Sequence, residues 1–294
     1  MSDLLNRYGG LLTAIFILLT AFWLLMLVIL PNIYLFENSF RPYLPVNEMG
    51  GPKDVYSLNN YLTFFKSPIH MNVFVWTIIY SSLVTLICFI IAYPLAYYMS
   101  KIAPDRIIPT LFLLLFVPLW VSEVLRSFAW FIILALKGPL NSTLLGLGII
   151  EAPVRWIMGF RGVVIGLVYT YVLFMLFPIY NAIQSLDTNQ IEAAEDLGSP
   201  WWRTHLRVIL PHSKPGIASG AVMVFMLSAG SILVPTLLAS TTSRWFTEII
   251  QQWMFESQDW NTGSAYAFLL LILCTVFVSV VMRVFRVKLS DIAK

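Results

Sequence analysis

Long apolar runs separated by short polar stretches set the pattern of this chain. A run of about 18–20 apolar residues is long enough to cross a hydrocarbon layer roughly 30 Å thick as a helix. Six runs come near or exceed that length, at 11–30, 71–99, 107–136, 162–186, 216–239 and 263–285. The pattern predicts an all-α, polytopic membrane protein with six transmembrane helices, organised as a single domain over residues 1–294. The first run follows Arg7. Its apolar core is longer than that of a secretory signal and no small-x-small cleavage site follows, so it reads as a retained anchor.

Pro94, Pro118, Pro178 and Pro235 fall within or near the second to fifth runs. Each removes a backbone donor and tends to kink its helix, which membrane helices tolerate where neighbours or a lined cavity satisfy the freed carbonyl. A kinked bundle around a pathway and simple bends for packing both fit. Gly216 and Gly220, one turn apart at the start of the fifth run, predict a close helix contact. The outer stretch 141–160, with Glu151, Pro153 and Arg155 among apolar residues, reads as a short interfacial or re-entrant segment.

One polar stretch interrupts the pattern: "IEAAEDLGSPWWRTHLRVILP", residues 191–211. Asp187 and Gln190 form a pair resembling a capping box at a helix start. Ile191, Ala194 and Leu197 then recur at helical spacing as a narrow apolar face that another protein surface can approach closely. Gly198 suits a left-handed C-terminal cap, and Ser199-Pro200 suit the start of a second helix running to about Leu210.

Composition agrees with the membrane reading. Hydrophobic residues make up 59% and charged residues 11%, against about 25% charged in soluble domains. A net charge of +3 is too small for a nucleic-acid partner. The distribution of charge says more. With the N-terminus inside, Arg7, Lys101, Arg106, Arg203, Arg207, Lys214, Arg283, Arg286, Lys288 and Lys294 are cytoplasmic, many of them in the short loops that set orientation. Arg41, Lys53, Lys66, Lys137, Arg155, Arg161 and Arg244 then lie outside, in longer loops. The inner loops are 100–106 and 187–215, and the outer loops 32–70, 137–161 and 240–262. Trp245, Phe246, Trp253 and Trp260 suit an interfacial aromatic belt or contact with a binding protein. Cys88 and Cys274 read as small apolar residues within spans. His70, His205 and His212 form no HExxH or other metal or catalytic pattern, which argues against a membrane enzyme.

Glu192-Ala193-Ala194, three residues, Gly198, nine residues, then Val208-x-Leu210-Pro211 resembles the EAA loop in permease subunits of binding-protein-dependent ABC importers. The family form prefers isoleucine where Val208 stands. The resemblance implies a type I ABC importer permease fold in the bacterial inner membrane, with both termini cytoplasmic. It also implies a coupling helix seated in a groove of a separate ATPase, through Glu192, Ala193, Ala194, Gly198, Leu210 and Pro211. No GxxxxGK[ST] phosphate loop occurs in the chain. ATP and Mg are therefore expected on a partner ATPase dimer, with no cofactor or metal on this non-catalytic subunit.

The resemblance extends through "SLNNYLTFF" (57–65), "VPLWVSEVLRSFAWFIIL" (117–134), "KGPLNSTLLGLGII" (137–150) and "GLVYTYVLFMLFPIYNAIQSLD" (166–187) to the permeases of spermidine/putrescine importers. These stretches are most similar to the first of that system's two different permeases. They imply a polyamine substrate, a solute-binding protein, a second homologous permease in a heterodimeric pore, and membrane lipid around it. Amino-acid-like, betaine-like and sugar solutes are the alternatives, since "SAGSILVP" (228–235) lacks the acidic residue often present there in polyamine permeases. An ion-coupled carrier or channel would instead import without ATP hydrolysis.

Glu123 is the one carboxylate expected deep in a span. It is a candidate contact for an ammonium group, with Trp120, Phe128 and Trp130 adding aromatic surface nearby. Arg126, three residues on, offers an alternative role as a structural ion pair.

Overall fold

A computed structural model describes residues 2–48, 50–240 and 243–287, with the side chains of 2–9 and Val46 left out. Lys288 and Lys294 lie outside the described residues, as does the side chain of Arg7. All regular structure among them is helical. In chain order the helices are α1 (Ser2–Leu24), α2 (Leu30–Phe40), α3 (Asn59–Lys66), α4 (Pro68–Tyr97), α5 (Ile108–Trp120), α6 (Glu123–Leu134) and α7 (Pro139–Gly146). They continue with α8 (Arg161–Gln184), α9 (Thr188–Asp196), α10 (Trp201–Thr204), α11 (Leu210–Ala229), α12 (Leu233–Leu238), α13 (Phe246–Gln251) and α14 (Trp260–Phe285). Four π-helical turns extend or join them, at Leu25–Ile29, Tyr98–Ile102, His205–Ile209 and Gln252–Glu256.

Among the described residues, Gly10–Phe40, Pro68–Ile102, Arg161–Gln184 and Trp260–Phe285 are continuous helices long and apolar enough to cross a membrane. Glu123–Gly146 reaches that length only with the turn between α6 and α7 counted. Two expected spans are broken. The run expected at 107–136 is α5 and α6, interrupted where Val121 turns to an extended ψ of 133° three residues after Pro118. The run expected at 216–239 is α11 and α12, interrupted at 230–232 after Gly230 caps α11.

The described residues divide into two compact units. Residues 1–67 with 250–269 form the first. There the end of α2 is fastened to the segment after it by Arg41, which donates to Glu37 at 2.6 Å and Asp54 at 2.9 Å and lies over the Tyr56 ring. Asn60, from the 57–65 stretch, is buried and donates to the carbonyls of Ser39 and Arg41. Phe64 meets Tyr266 edge to face at 5.6 Å.

Residues 68–249 with 270–294 form the second unit. Its centre is α8, buried at residues around its whole circumference, from Val163 and Leu167 to Ile179 and Ile183, with α4 and α11 packed on it and on each other. A helix buried all round carries no amphipathic stripe, and its sequence shows none. The Gly216 and Gly220 pair makes the predicted close contact: a β-carbon at Gly216 would run into the Pro178 carbonyl, and one at Gly220 would lie 2.8 Å from Met175 Sδ. Phe225 of α11 stacks on Phe277 of α14 at 3.5 Å.

The segment after α12 departs from expectation. Trp245 and Phe246 are fully buried rather than interfacial. The break in α11 explains it, because helix ends leave carbonyls without intrahelical donors. The Trp245 indole N–H donates to the Ser228 carbonyl at 3.1 Å, the Thr247 hydroxyl donates to the Ser231 carbonyl at 2.6 Å, and the Phe246 N–H donates to the Thr77 hydroxyl at 3.0 Å. Trp260, by contrast, is half exposed. The stretch 141–160 begins in the short helix α7, held by the buried Asn141. Its amide donates to the carbonyls of Ala135, Leu136 and Val154, while its oxygen accepts from the Val154 N–H and the Trp156 indole.

Candidate functional site

The polar stretch folds by local rules. Asp187 caps α9 by accepting from the Asn189 N–H at 3.0 Å. At the other end the Ser199 N–H donates to the Ala194 carbonyl and the Gly198 N–H to the Glu195 carbonyl, the crossed pair of bonds of a Schellman cap. Gly198 holds the left-handed φ of +75° that this cap needs. A β-carbon there would meet nothing within 4 Å, so glycine is required for conformation rather than for space.

The three residues expected on one apolar face of α9 divide. Ile191 points inward and is 6% exposed, part of the core that includes Leu186 and Ile209. Ala194 is half-buried, and Leu197 is 89% exposed. Residues three apart slip back about 60° per step around a helix, so six residues carry the side chain roughly 120° from where it began. The exposed side is therefore broad, taking in Glu192, Ala193, Glu195, Asp196 and Leu197, while Ile191 ties the helix to its own subunit.

The second helix does not stop at Leu210. α10 passes through the π-helical turn His205–Ile209 directly into α11, with Pro211 ten residues inside the continuous helix, where its missing N–H and its ring disturb the α-helical bond pattern next to the π-helical turn. Leu210 is half-buried and Pro211 exposed.

Two contacts that the sequence did not point to bind this segment to the C-terminal end of α4 and the turn after it, and to the end of α8. His205 Nδ1 shares a hydrogen bond of 2.8 Å with the Tyr93 hydroxyl, and its ring meets Tyr97 edge-on at 4.4 Å. Burial pushes the His205 imidazole below its ordinary 6.5. Lys101 donates to the Leu186 carbonyl at the end of α8. Only the presence of His205 in the motif was visible beforehand, since Tyr93 lies 112 residues away.

The second candidate set sits at the break between α5 and α6. Glu123 occupies the first turn of α6, where the helix dipole favours an acid. Its partner is the Tyr171 hydroxyl, which donates to Oε1 at 3.3 Å. No ion pair joins Glu123 to Arg126 among the described residues, and Arg126 Nε is buried without a partner. Trp130 meets Tyr169 edge to face at 5.3 Å. Trp120 and Phe128 are 75% and 47% exposed, so the structure joins Glu123 and Trp130 to α8 and leaves these two aromatic residues on the surface.

The profile of the binding-protein-dependent transport system inner membrane component matches residues 2–290. The chain belongs to this family. Among curated relatives of this permease, the spermidine/putrescine transport system permease protein PotB of Salmonella typhimurium strain SL1344 is 33% identical over 274 residues, covering 92% of this chain and 94% of PotB. PotB of Haemophilus influenzae is 34% identical over 262 residues, covering 89% and 90%. A chain of a bacterial alginate ABC transporter, solved in complex with an alginate pentasaccharide-bound periplasmic protein, superposes with a TM-score of 0.74 at 19% identity over 98% of this chain and 99% of its own. That likeness establishes the permease's fold. The chain is a multi-pass inner-membrane transport subunit.

Proposed function

We propose that residues 1–294 form one transmembrane domain of an ATP-driven polyamine importer, supplying half of a heterodimeric pathway beside a second homologous permease. A solute-binding protein delivers spermidine or putrescine from outside. A separate ATPase dimer holds ATP and Mg and seats α9 in its groove. The termini and the α9–α10 segment face the cytoplasm. The observation that carries the ATPase contact is the exposed surface of Glu192, Ala193 and Leu197, held at a fixed angle by the Schellman cap at Gly198. Identity of 33–34% to spermidine/putrescine permeases over about nine-tenths of the chain supports the substrate class.

The stretch 228–235 around the break carries no acid, and its Ser228 and Ser231 are buried, an observation that favours the second reading, import of another small organic solute. Uptake of labelled spermidine, putrescine and a panel of small solutes, with the cognate binding protein supplied, separates the two. Uptake of a different solute alone would sink the polyamine reading. Glu192→Lys tests the ATPase contact independently: the permease should stay in the membrane while copurification of the ATPase is lost, and normal copurification would sink that contact.

A further inference from the structure

An apolar groove of about 590 Å³ opens between the inner end of α4 and the α10 segment. Tyr93, Tyr98, Trp201, Trp202, His205 and Leu206 line it. Its internal polar groups are tied to each other, since the Tyr93 hydroxyl and His205 Nδ1 share their hydrogen bond. The rest of its surface is almost all apolar, with the Tyr97 and Tyr98 hydroxyls and two indole N–H groups as its further polar atoms, and much of it is open: Trp201 is 74%, Leu206 57% and Tyr98 41% exposed. Beside it the Arg203 guanidinium lies over the Trp202 ring at 5.4 Å. Neither Arg203 nor Arg207 makes an ion pair among the described residues, and both are exposed.

An open apolar trough flanked by an unpaired guanidinium has the chemistry of an amphiphile site: a chain to fill the trough and an anion to meet the arginine. Its location selects the source. The groove lies at the end of a membrane-crossing helix, and its Trp and Tyr residues are those that settle at the headgroup level of a bilayer. Basic pockets between helices on the cytoplasmic side recognise anionic headgroups. We propose that this groove holds one anionic phospholipid of the inner leaflet, with an acyl chain along Tyr98, Trp202 and Leu206 and the phosphate on Arg203. The bound lipid fills the space between α4 and the coupling segment, joining the two that His205 and Tyr93 already link.

The complete transporter, purified with its partner subunits and placed in nanodiscs of phosphatidylcholine with a minor fraction of phosphatidylglycerol, provides the test. Lipid retained after detergent extraction is read by native mass spectrometry. The parent should retain phosphatidylglycerol. Arg203→Gln should retain roughly fivefold less of it, the expectation for one basic residue near a membrane surface, with phosphatidylcholine retention unchanged. Leu206→Glu, which puts a charge in the trough, should lose both. Equal phosphatidylglycerol retention by the parent and Arg203→Gln overturns the proposal. A photo-crosslinking side chain at Tyr98 supplies a second measurement that does not depend on the Leu206 variant assembling: an adduct with phospholipid supports the assignment, and an adduct with the ATPase subunit overturns it.

Discussion

Replacing Gly198 separates conformation from contact at the coupling segment. At φ +75° an L-residue with a β-carbon suffers a clash with its own backbone worth roughly 1–2 kcal/mol, whereas asparagine adopts this region with less strain. Nothing lies within 4 Å of the added atom, so side-chain size adds no further cost within this subunit. Gly198→Ala should therefore depopulate the Schellman cap by about fivefold to thirtyfold relative to its alternatives. Gly198→Asn should depopulate it less despite its greater bulk. The assay is solute-stimulated ATP hydrolysis by the reconstituted transporter, normalised to the amount of assembled complex. The expected order is glycine, then asparagine, then alanine, with valine lowest because β-branching sharpens the clash. An order that follows size, with alanine above asparagine, would refute the reasoning and place the requirement for glycine in close approach of the partner.

Glu123→Gln keeps volume and removes charge. For a cationic solute that meets this side chain, the lost contact is worth roughly 1.5–3 kcal/mol, or about one to two decades of uptake, and unchanged uptake refutes the contact. His205 makes stability depend on pH. Its folded value lies below 6.5, so its contribution is fully present above 6.5 and is lost as pH falls through the lowered value. The stability difference between the parent and His205→Asn should shrink as the pH of a melting series is lowered from about 8 to 5, and a constant difference contradicts this. Asn141→Leu leaves the Val154 N–H and Trp156 indole without their acceptor and should lower stability by about 3 kcal/mol, measured by thermal melting in detergent. Single cysteines at Asn47 and Gln258 should react with an impermeant thiol reagent in spheroplasts, and one at Ser199 should not. Labelling at Ser199 would reverse the topology.

The helices were legible because length and apolarity alone decide whether a segment can cross a bilayer. Their interruptions were not. The sequence around 121–122 and 230–232 holds Val, Ser and Gly, which continuous membrane helices also contain. What fixes the second break is the pair of donors from Trp245 and Thr247, which tertiary structure brings to it, while Phe246 beside them is held by Thr77 of α4. Those same aromatic residues suit a membrane interface equally well by composition, so their burial was hidden. The coupling stretch was readable in its caps, since Asp187 and Gly198 act on neighbouring backbone. It was misread on its faces, because Leu197 was grouped with Ile191 although they lie far apart around α9. The Tyr93–His205 bond and the Glu123–Tyr171 bond are contacts across long stretches of chain that no local pattern encodes.

The unbroken course of helix from Trp201 to Ala229 has the proportions of a seesaw. At about 1.5 Å per residue it is roughly 40 Å long, and Gly216, pressed against the Pro178 carbonyl, sits near its midpoint. With the fulcrum there, a tilt of about 5° carries each end roughly 2 Å in opposite directions. A push on the Trp201 end would then reach the Gly230 end with its sign reversed. There the Ser228 carbonyl accepts from the Trp245 indole, so that arm would carry Trp245 with it, and movement at one end of the helix would be felt in the packing at the other.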